Sequence, residues 1–558
     1  MKGFYYQRAS TSIDAPWADK WPRKTGLPDT VVLVHNSAAS PTRPTGTKIK
    51  CPKGWIDAGD YNKYIINSGF STYMIGAMYE QYSTFFDTLH LNIPESSNNL
   101  PDILDEWYWN IQWVSSMQDP YDGGVYFKLT SPNFDGDIMP NQVTQARYVV
   151  SKTTASALDF AALMAQAARI TNIHSDKFPE GTSEKYLNQA LAAWNWARKN
   201  KNIAYNQAAL TSPAISTGGY GDSNFTDEFL WAGQELYLTT KIDSFYTISG
   251  TLPSTVSIPG WQNVQALGCV SLANSRQGLT TIADTSKLKN SIINLAKTYK
   301  TKISSSPAKI SLGDTEYWWG SNGMISTHAF ILLNAYNLTL DSTYLDAAIN
   351  NLDYVLGKNA VGYNFITGEG VVSPKNIHHR ISTADGVADP IPGLLAGGPT
   401  MDAQSDCGST AYPTGGVAKS YLDAQCSYST NEIAINWNAP LAYSLLVLEA
   451  IKKGYKPVNL YNTDFKLAVG INDEVIENNT EYALTPNPVL NQLTFTRSGK
   501  MSENSVSILA LDGTEITSFK WNNQSQIIDL STLKNGMYLV KINDGLKTSV
   551  YKILKAEQ

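Results

Sequence analysis

From about residue 62 to 455, apolar residues keep returning at helical spacing, and that recurrence constrains the fold more than any other feature. It predicts helices over 62–83, 101–117, 153–171, 184–200, 226–240, 286–301, 323–337, 343–356 and 431–453, separated by long loops rich in Gly, Pro and Asn. Strand-like alternation in this region is confined to short pieces such as Gly124 to Leu129. Helices paired by alternating short and long loops describe a toroid of helical hairpins, and the long loops at one end can build a cleft.

After Lys456 the texture changes. From about Glu481 the chain alternates in short strands, LTFT, VSILAL, IIDL, MYLVKI and VYKIL, broken by the turns Asp512-Gly513, Asn535-Gly536 and Asp544-Gly545. The expected organisation is a helical domain over 1–456, a linker over 457–478 and an all-β sandwich over 479–558. A chain of 558 residues is too long for one ordinary core, which agrees with two units.

The formal charge of −6 argues against nucleic acid as a partner, and no apolar run is long enough to span a membrane. Aromatic residues reach 11%, with 14 Trp and 31 Tyr. Such rings stack on the C–H faces of sugars, although composition alone points first to a large aromatic core. The opening MKGFYYQRAS has no apolar h-region after its first Lys, so either the protein is cytoplasmic or a leader has been removed. Four cysteines form no C-x-x-C pair, which supports neither structural zinc nor a redox motif. Cys407 and Cys426 share one irregular stretch, where a bridge and free thiols stand equally open.

Three constellations carry possible chemistry. In Gly54-Trp-Ile-Asp57-Ala-Gly-Asp60-Tyr-Asn-Lys-Tyr64, two carboxylates three residues apart can point at one water molecule, one taking its proton and the other holding it. Taken alone, Asp60 reads first as a helix cap. In the stretch from Tyr428 to Leu441, Glu432 heads the last long helix, where a carboxylate is ordinarily a capping or dipole partner. Its aromatic and amide-rich surroundings also suit an acid kept protonated near neutral pH. The loop from Ile366 to Arg380 ends in His378-His379-Arg380 without a second ligand cluster, so donors to sugar hydroxyls fit it better than a metal.

These blocks, GWIDAGDYNKYI, TGEGVVSPKNIHHR and NEIAINWNAPL, in this order and spacing, resemble the diagnostic segments of glycoside hydrolase family 9 over about residues 3 to 455. IPESSNNLPDILDEWYWNIQWVSSMQ, DGGVYFKLT, YWWGSNG, NLDYVLGKNAVGYNFITG and PGLLAGGP add matching background. The resemblance implies an (α/α)6 barrel and an inverting endo-β-1,4-glucanase. By motif position Asp60 is the general base, Asp57 helps orient the water and Glu432 is the general acid. His378 and Arg380 match substrate-binding positions, while Trp319 and Trp261 fall where the family places stacking aromatics. Ser223, Asp227 and Glu228 resemble a family Ca²⁺ site, a structural ion with hard oxygen ligands; Asp227-Glu228 also reads as helix N-terminal charge.

Departures accompany the match. The immunoglobulin-like module that many relatives carry before the barrel is absent or was removed, since GFYYQR begins at once, His35 and Cys51 lack further zinc ligands, and Glu369 stands where an aromatic is usual. Pro486-Asn487-Pro488, VSILALDG, LSTLKNGMYLVKI and VYKILK resemble the sorting domain of type IX secretion, against the plainer reading of a carbohydrate-binding sandwich. The resulting expectation is a monomeric enzyme, secreted or held at the cell surface, that cleaves internal bonds of β-1,4-glucans. The rivals are an exo-acting β-glycosidase of the same family and an inactive glycan-binding protein.

Overall fold

A computed structural model describes residues 1–402, 404–408, 411–462, 464–468, 482–486, 489–497, 504–510, 514–534, 536–543 and 548–555, and the chain divides into two compact units, Met1–Lys466 and Leu467–Gln558. The longer helices of the first unit are α1 Ile65–Phe86, α2 Asp102–Ser116, α3 Thr154–Ile173, α4 Thr182–Lys199, α5 Thr226–Thr240 and α6 Asp243–Ser249. They continue as α7 Gln265–Asn274, α8 Thr285–Ser305, α9 Ser321–Thr339, α10 Ser342–Val355 and α11 Ile435–Lys452.

The odd-numbered helices form a closed ring, each packing on the next and α11 returning to α1, while α2, α4, α6, α8 and α10 pack outside. Residue chemistry sorts the two layers. Inner α3 buries every residue from Thr154 to Thr171, and its alanines let neighbouring helices approach closely. Outer α4 buries one stripe, Tyr186, Leu187, Ala190, Ala193, Trp194 and Ala197, the spacing of a helix with one dry face.

Beside the ring lies a five-stranded sheet in the order β2-β1-β5-β4-β3, built from Val32–Val34 (β1), Lys48–Ile49 (β2), Lys63–Tyr64 (β3), Tyr126–Thr130 (β4) and Tyr148–Lys152 (β5). Only the β1–β5 pairing is parallel. A separate apolar cluster joins Tyr5, Tyr6, Ile56, Tyr61, Ile377 and Ile433 among others. This cluster ties the segments around residues 57, 378 and 432 to one another independently of the ring.

The first residues of the expected linker belong to the barrel unit. Val458 N donates to the Gln81 carbonyl, and Tyr461 is buried with its hydroxyl on Glu80. In the second unit β6 Tyr482–Thr485, β7 Gln492–Arg497 and β10 Ser525–Asp529 form one sheet, in the order β10-β7-β6. The strands β8 Asn504–Leu509, β9 Glu515–Trp521, β11 Gly536–Asn543 and β12 Thr548–Lys555 form the other, in the order β12-β11-β8-β9. Val489, Leu493, Phe495, Val506, Trp521, Val540 and Ile553 share its core. Of the sequence expectations, Asn487-Pro488, Asp512-Gly513, Asn535, Asp544-Gly545 and the linker stretch 469–478 lie outside the described residues.

Candidate functional site

The three motif segments meet through their backbones. Ala58 bridges Ala434, His378 bridges Glu432 and Ala396 bridges Ile433. Ile435 N donates to the Asp57 carbonyl at 2.9 Å, and Gly397 N to the Glu432 carbonyl at 2.9 Å. Gly59 makes the approach possible: a Cβ there would lie 2.2 Å from the His378 carbonyl oxygen and 3.2 Å from Glu432 Oε1. Residues 57–60 and Glu432, nearly four hundred positions apart in the chain, are thus neighbours.

Asp57 and Asp60 are buried, yet both line a cleft of about 830 Å³. Its walls include Tyr220, Trp261, Trp319, Glu432 and Trp437, together with Gly323 and Met324 from the first turn of α9. The cleft therefore lies over the N-terminal ends of inner helices. Trp319 and Tyr428 are exposed and stacked, with ring centroids 5.6 Å apart, and Tyr428 meets His378 edge-on.

The carboxylates are held differently. Asp60 Oδ2 accepts from Asn62 Nδ2 at 2.6 Å, and its Oδ1 from Asn62 N at 3.1 Å. Asp57 Oδ2 accepts from the Tyr220 hydroxyl at 2.7 Å, and its Oδ1 from Asn67 Nδ2 at 3.0 Å. Burial, reinforced by the charge of Asp60, pushes Asp57 up to about 7 despite these hydrogen bonds. Burial and Asp60 likewise raise Glu432 to about 8, against the opposing pull of Arg380. A carboxyl raised by burial and a pair of neighbouring carboxylates thus face one cleft.

His378 donates from Nδ1 to the Gln425 carbonyl at 2.7 Å, and burial lowers its pKa. His379 packs inward with its two ring nitrogens on Ser382 and Gln7, and burial lowers it to about 3. Arg380 grips Gly59 and Asp135 through their carbonyls at 2.9 and 2.6 Å and lies over Phe134. Tyr220, Asn62 and Asn67 are site residues that sequence reasoning missed. The only signal for Tyr220 is its place in the glycine-rich GGYG turn.

The loop over the Glu432 side is closed by a Cys407–Cys426 disulfide, while Cys51 and Cys269 are free and buried. Within that loop Asp423 accepts from Asn376 N and from Asn431 Nδ2, and so ties the His378 segment to the Glu432 segment.

Among the described residues no group of three or more His, Cys, Asp or Glu is gathered as a metal centre. Ser223 is exposed, whereas Asp227 and Glu228 are buried in the first turn of α5. Asp227 Oδ1, Glu228 Oε2, Asp222 Oδ2 and both carboxylate oxygens of Asp159 are nonetheless buried without a hydrogen-bond partner. Oxygen donors left in this condition have the chemistry that suits a hard divalent cation.

An acidic, aromatic-walled cleft across the end of a closed helical ring defines an enzyme that hydrolyses glycosidic bonds. Residues 1–445 match glycosyl hydrolase family 9, and residues 483–556 match a secretion system C-terminal sorting domain. The chain belongs to glycosyl hydrolase family 9. It is 41% identical over 462 residues to a xyloglucan-specific endo-β-1,4-glucanase of Bacteroides ovatus, covering 81% of this chain and 78% of that one. Endoglucanase D of Acetivibrio thermocellus is 31% identical over 90% of this chain and 73% of its own length. A solved Bacteroides ovatus family 9 structure superposes with a TM-score of 0.76 at 40% identity, over 81% of each chain.

Proposed function

We propose that this enzyme is an inverting endo-β-1,4-glucanase. The observation that carries the reading is the meeting of Glu432 with the Asp57–Asp60 loop across Gly59, at the edge of an aromatic-walled cleft. Glu432, kept protonated by burial and by Asp60, gives its proton to the leaving glycosidic oxygen. Asp60 takes a proton from water on the opposite face of the sugar, and Asp57 orients that water. Attack from the face opposite the leaving group inverts the anomeric carbon without a covalent glycosyl-enzyme. Trp319 and Trp261 stack on flanking glucose units, and His378 and Arg380 bind beside the cleaved bond.

The 41% identity to a xyloglucan-specific enzyme makes a substituted β-glucan the first polymer to try. Asp227 and Glu228, with Asp222 and Asp159 beside them, are the residues that would hold Ca²⁺, whose fixed charge would neutralise buried carboxylates and brace the loop before α5. The C-terminal sorting domain supports export by type IX machinery to the outside or the cell surface, where the enzyme acts as a monomer.

Proton NMR during hydrolysis of cello-oligosaccharides tests mechanism and cleavage position together. The first product formed carries the α-anomer, and cleavage falls at internal bonds. Glu432→Gln lowers kcat by about 10²–10⁴-fold. A β-anomer as first product, or full activity in Glu432→Gln, sinks the reading.

A further inference from the structure

A chain of buried polar groups runs from the water-side carboxylates into the sheet, with a carboxylate at one end and a lysine at the other. Lys128, on β4, is fully buried. Its Nζ donates to the Thr217 carbonyl at 3.0 Å, to Thr217 Oγ1 at 3.0 Å and to the Gly218 carbonyl at 2.6 Å. Three acceptors match the three N–H groups of an ammonium. Thr217 Oγ1, which accepts from Lys128, lies 2.6 Å from Thr130 Oγ1 in a bond that either hydroxyl can donate.

The Thr130 hydroxyl is 2.8 Å from both Asn62 Oδ1 and the Ser131 carbonyl. Asn62 Oδ1 also accepts from Ser131 N at 3.2 Å, which turns its amide nitrogen toward Asp60 Oδ2 at 2.6 Å. An ammonium donates at one end of the series and a carboxylate accepts at the other, and such chains strengthen cooperatively. The second arm is shorter. Lys128 holds the carbonyls of residues 217 and 218, and two residues further on Tyr220 sets its hydroxyl on Asp57.

We propose that Lys128 is a positioning residue for the water-activating half of the site, fixing Asp60 through Thr217, Thr130 and Asn62 and fixing Asp57 through the loop that carries Tyr220. The inference rests on the reading of Asp60 as general base. A lysine that merely props a loop would lend stability and leave the chemical step alone. The structure instead places it at the far end of a side-chain route from Asp60 into β4.

Two variants test this. Lys128→Met removes all three donors, and Thr130→Val cuts the link between Asn62 and Thr217 while leaving the buried charge. Each is assayed on a natural cello-oligosaccharide and on its 2,4-dinitrophenyl glycoside, whose phenolate departs with the bonding electrons and needs no proton from Glu432. Both variants lower kcat about 10- to 100-fold, equally on the two substrates, with KM within about twofold. Azide attacks the anomeric carbon of the dinitrophenyl substrate without deprotonation, forming a C–N bond as the C–O bond breaks. It therefore restores turnover as an α-glycosyl azide.

A lower Tm with unchanged kcat in both variants overturns the proposal, as does a loss confined to the natural leaving group, which belongs to the acid side. Should Lys128→Met not fold, Thr130→Val decides. Asp60→Ala is the control: if it keeps full activity and ignores azide, the general-base reading falls, whereas an inactive, azide-rescued Asp60→Ala beside wild-type rates in both variants refutes only Lys128.

Discussion

At the scale of residues, burial makes Asp57 and Glu432 hold their protons more tightly than free carboxyls do, and stability bears the consequence. Glu432 is raised to about 8, so kcat/KM on a soluble β-glucan falls tenfold per pH unit above about 8 as the donor is lost. A profile flat to pH 10 would exclude Glu432 as the donor. Asp57 is raised from 3.8 to about 7, so the folded state holds its proton more tightly than the unfolded chain does. The stability this contributes is fully present below the unfolded value and is lost as pH rises through about 7. Asp57→Asn keeps the shape without the charge, and it should melt about 2 °C or more above the parent at pH 8.5, with no gain at pH 3.5, while turnover collapses. Equal melting temperatures at pH 8.5 would contradict that account. Gly59 is constrained sterically: Gly59→Ala drives a methyl group against the His378 carbonyl and costs about 2 kcal/mol, visible in denaturant unfolding, together with most of the activity. The motifs disclosed Asp57, Asp60 and Glu432 because each sits in a dense local pattern. Tyr220 reaches Asp57 from 163 positions away, a contact that no local pattern encodes.

Elements were legible where a helix has two unlike faces or a long apolar run. The expected helix over 226–240 coincides with α5, and 343–356 with α10 to within a residue at either end. The helix α7 escaped because Ala266 to Ala273 are all buried, so its ten residues offer no polar stripe and are too few to stand out. Of the five-stranded sheet only β4 was legible, in the alternation from Gly124 to Leu129, and the other strands, of two to five residues, are too short for alternation to stand out. Between these elements the loop leading into α5 matters most, since it carries Tyr220 at one end and the buried Asp227-Glu228 at the other. If calcium braces that loop, metal-stripped enzyme regains about 2–3 kcal/mol of stability when calcium reaches a hundredfold excess over its Kd. The Asp227→Asn, Glu228→Gln double variant loses that calcium dependence. A melting temperature indifferent to chelation and to added calcium would leave these carboxylates as protonated core groups.

Across the whole molecule, the barrel is sealed at the end away from the cleft by chain that the composition marked as linker. Glu80, Arg169 and Glu235 come from the C-terminal turns of α1, α3 and α5, and Arg169 pairs with both glutamates in a largely buried cluster. Such a cluster is stable only while its hydrogen bonds are complete, because removing one partner strands a charge away from water. Tyr461 completes it: the hydroxyl donates to Glu80 Oε1 at 2.6 Å and the ring lies 5.3 Å from the Arg169 guanidinium. The fit is close enough that a Cβ on Gly278 would collide with the Tyr461 carbonyl. The hydrolase unit accordingly extends to Lys466, ten residues past the boundary that composition suggested at 456. A chain ended after Lys466 should melt within about 1 °C of the barrel transition of the full chain, whereas one ended after Lys456 should lose about 3 kcal/mol. Both should turn over glucan at similar rates at 25 °C, since the lost contacts lie at the far ends of helices whose first turns line the cleft. Identical melting of the two truncations would show that the cluster closes without Tyr461.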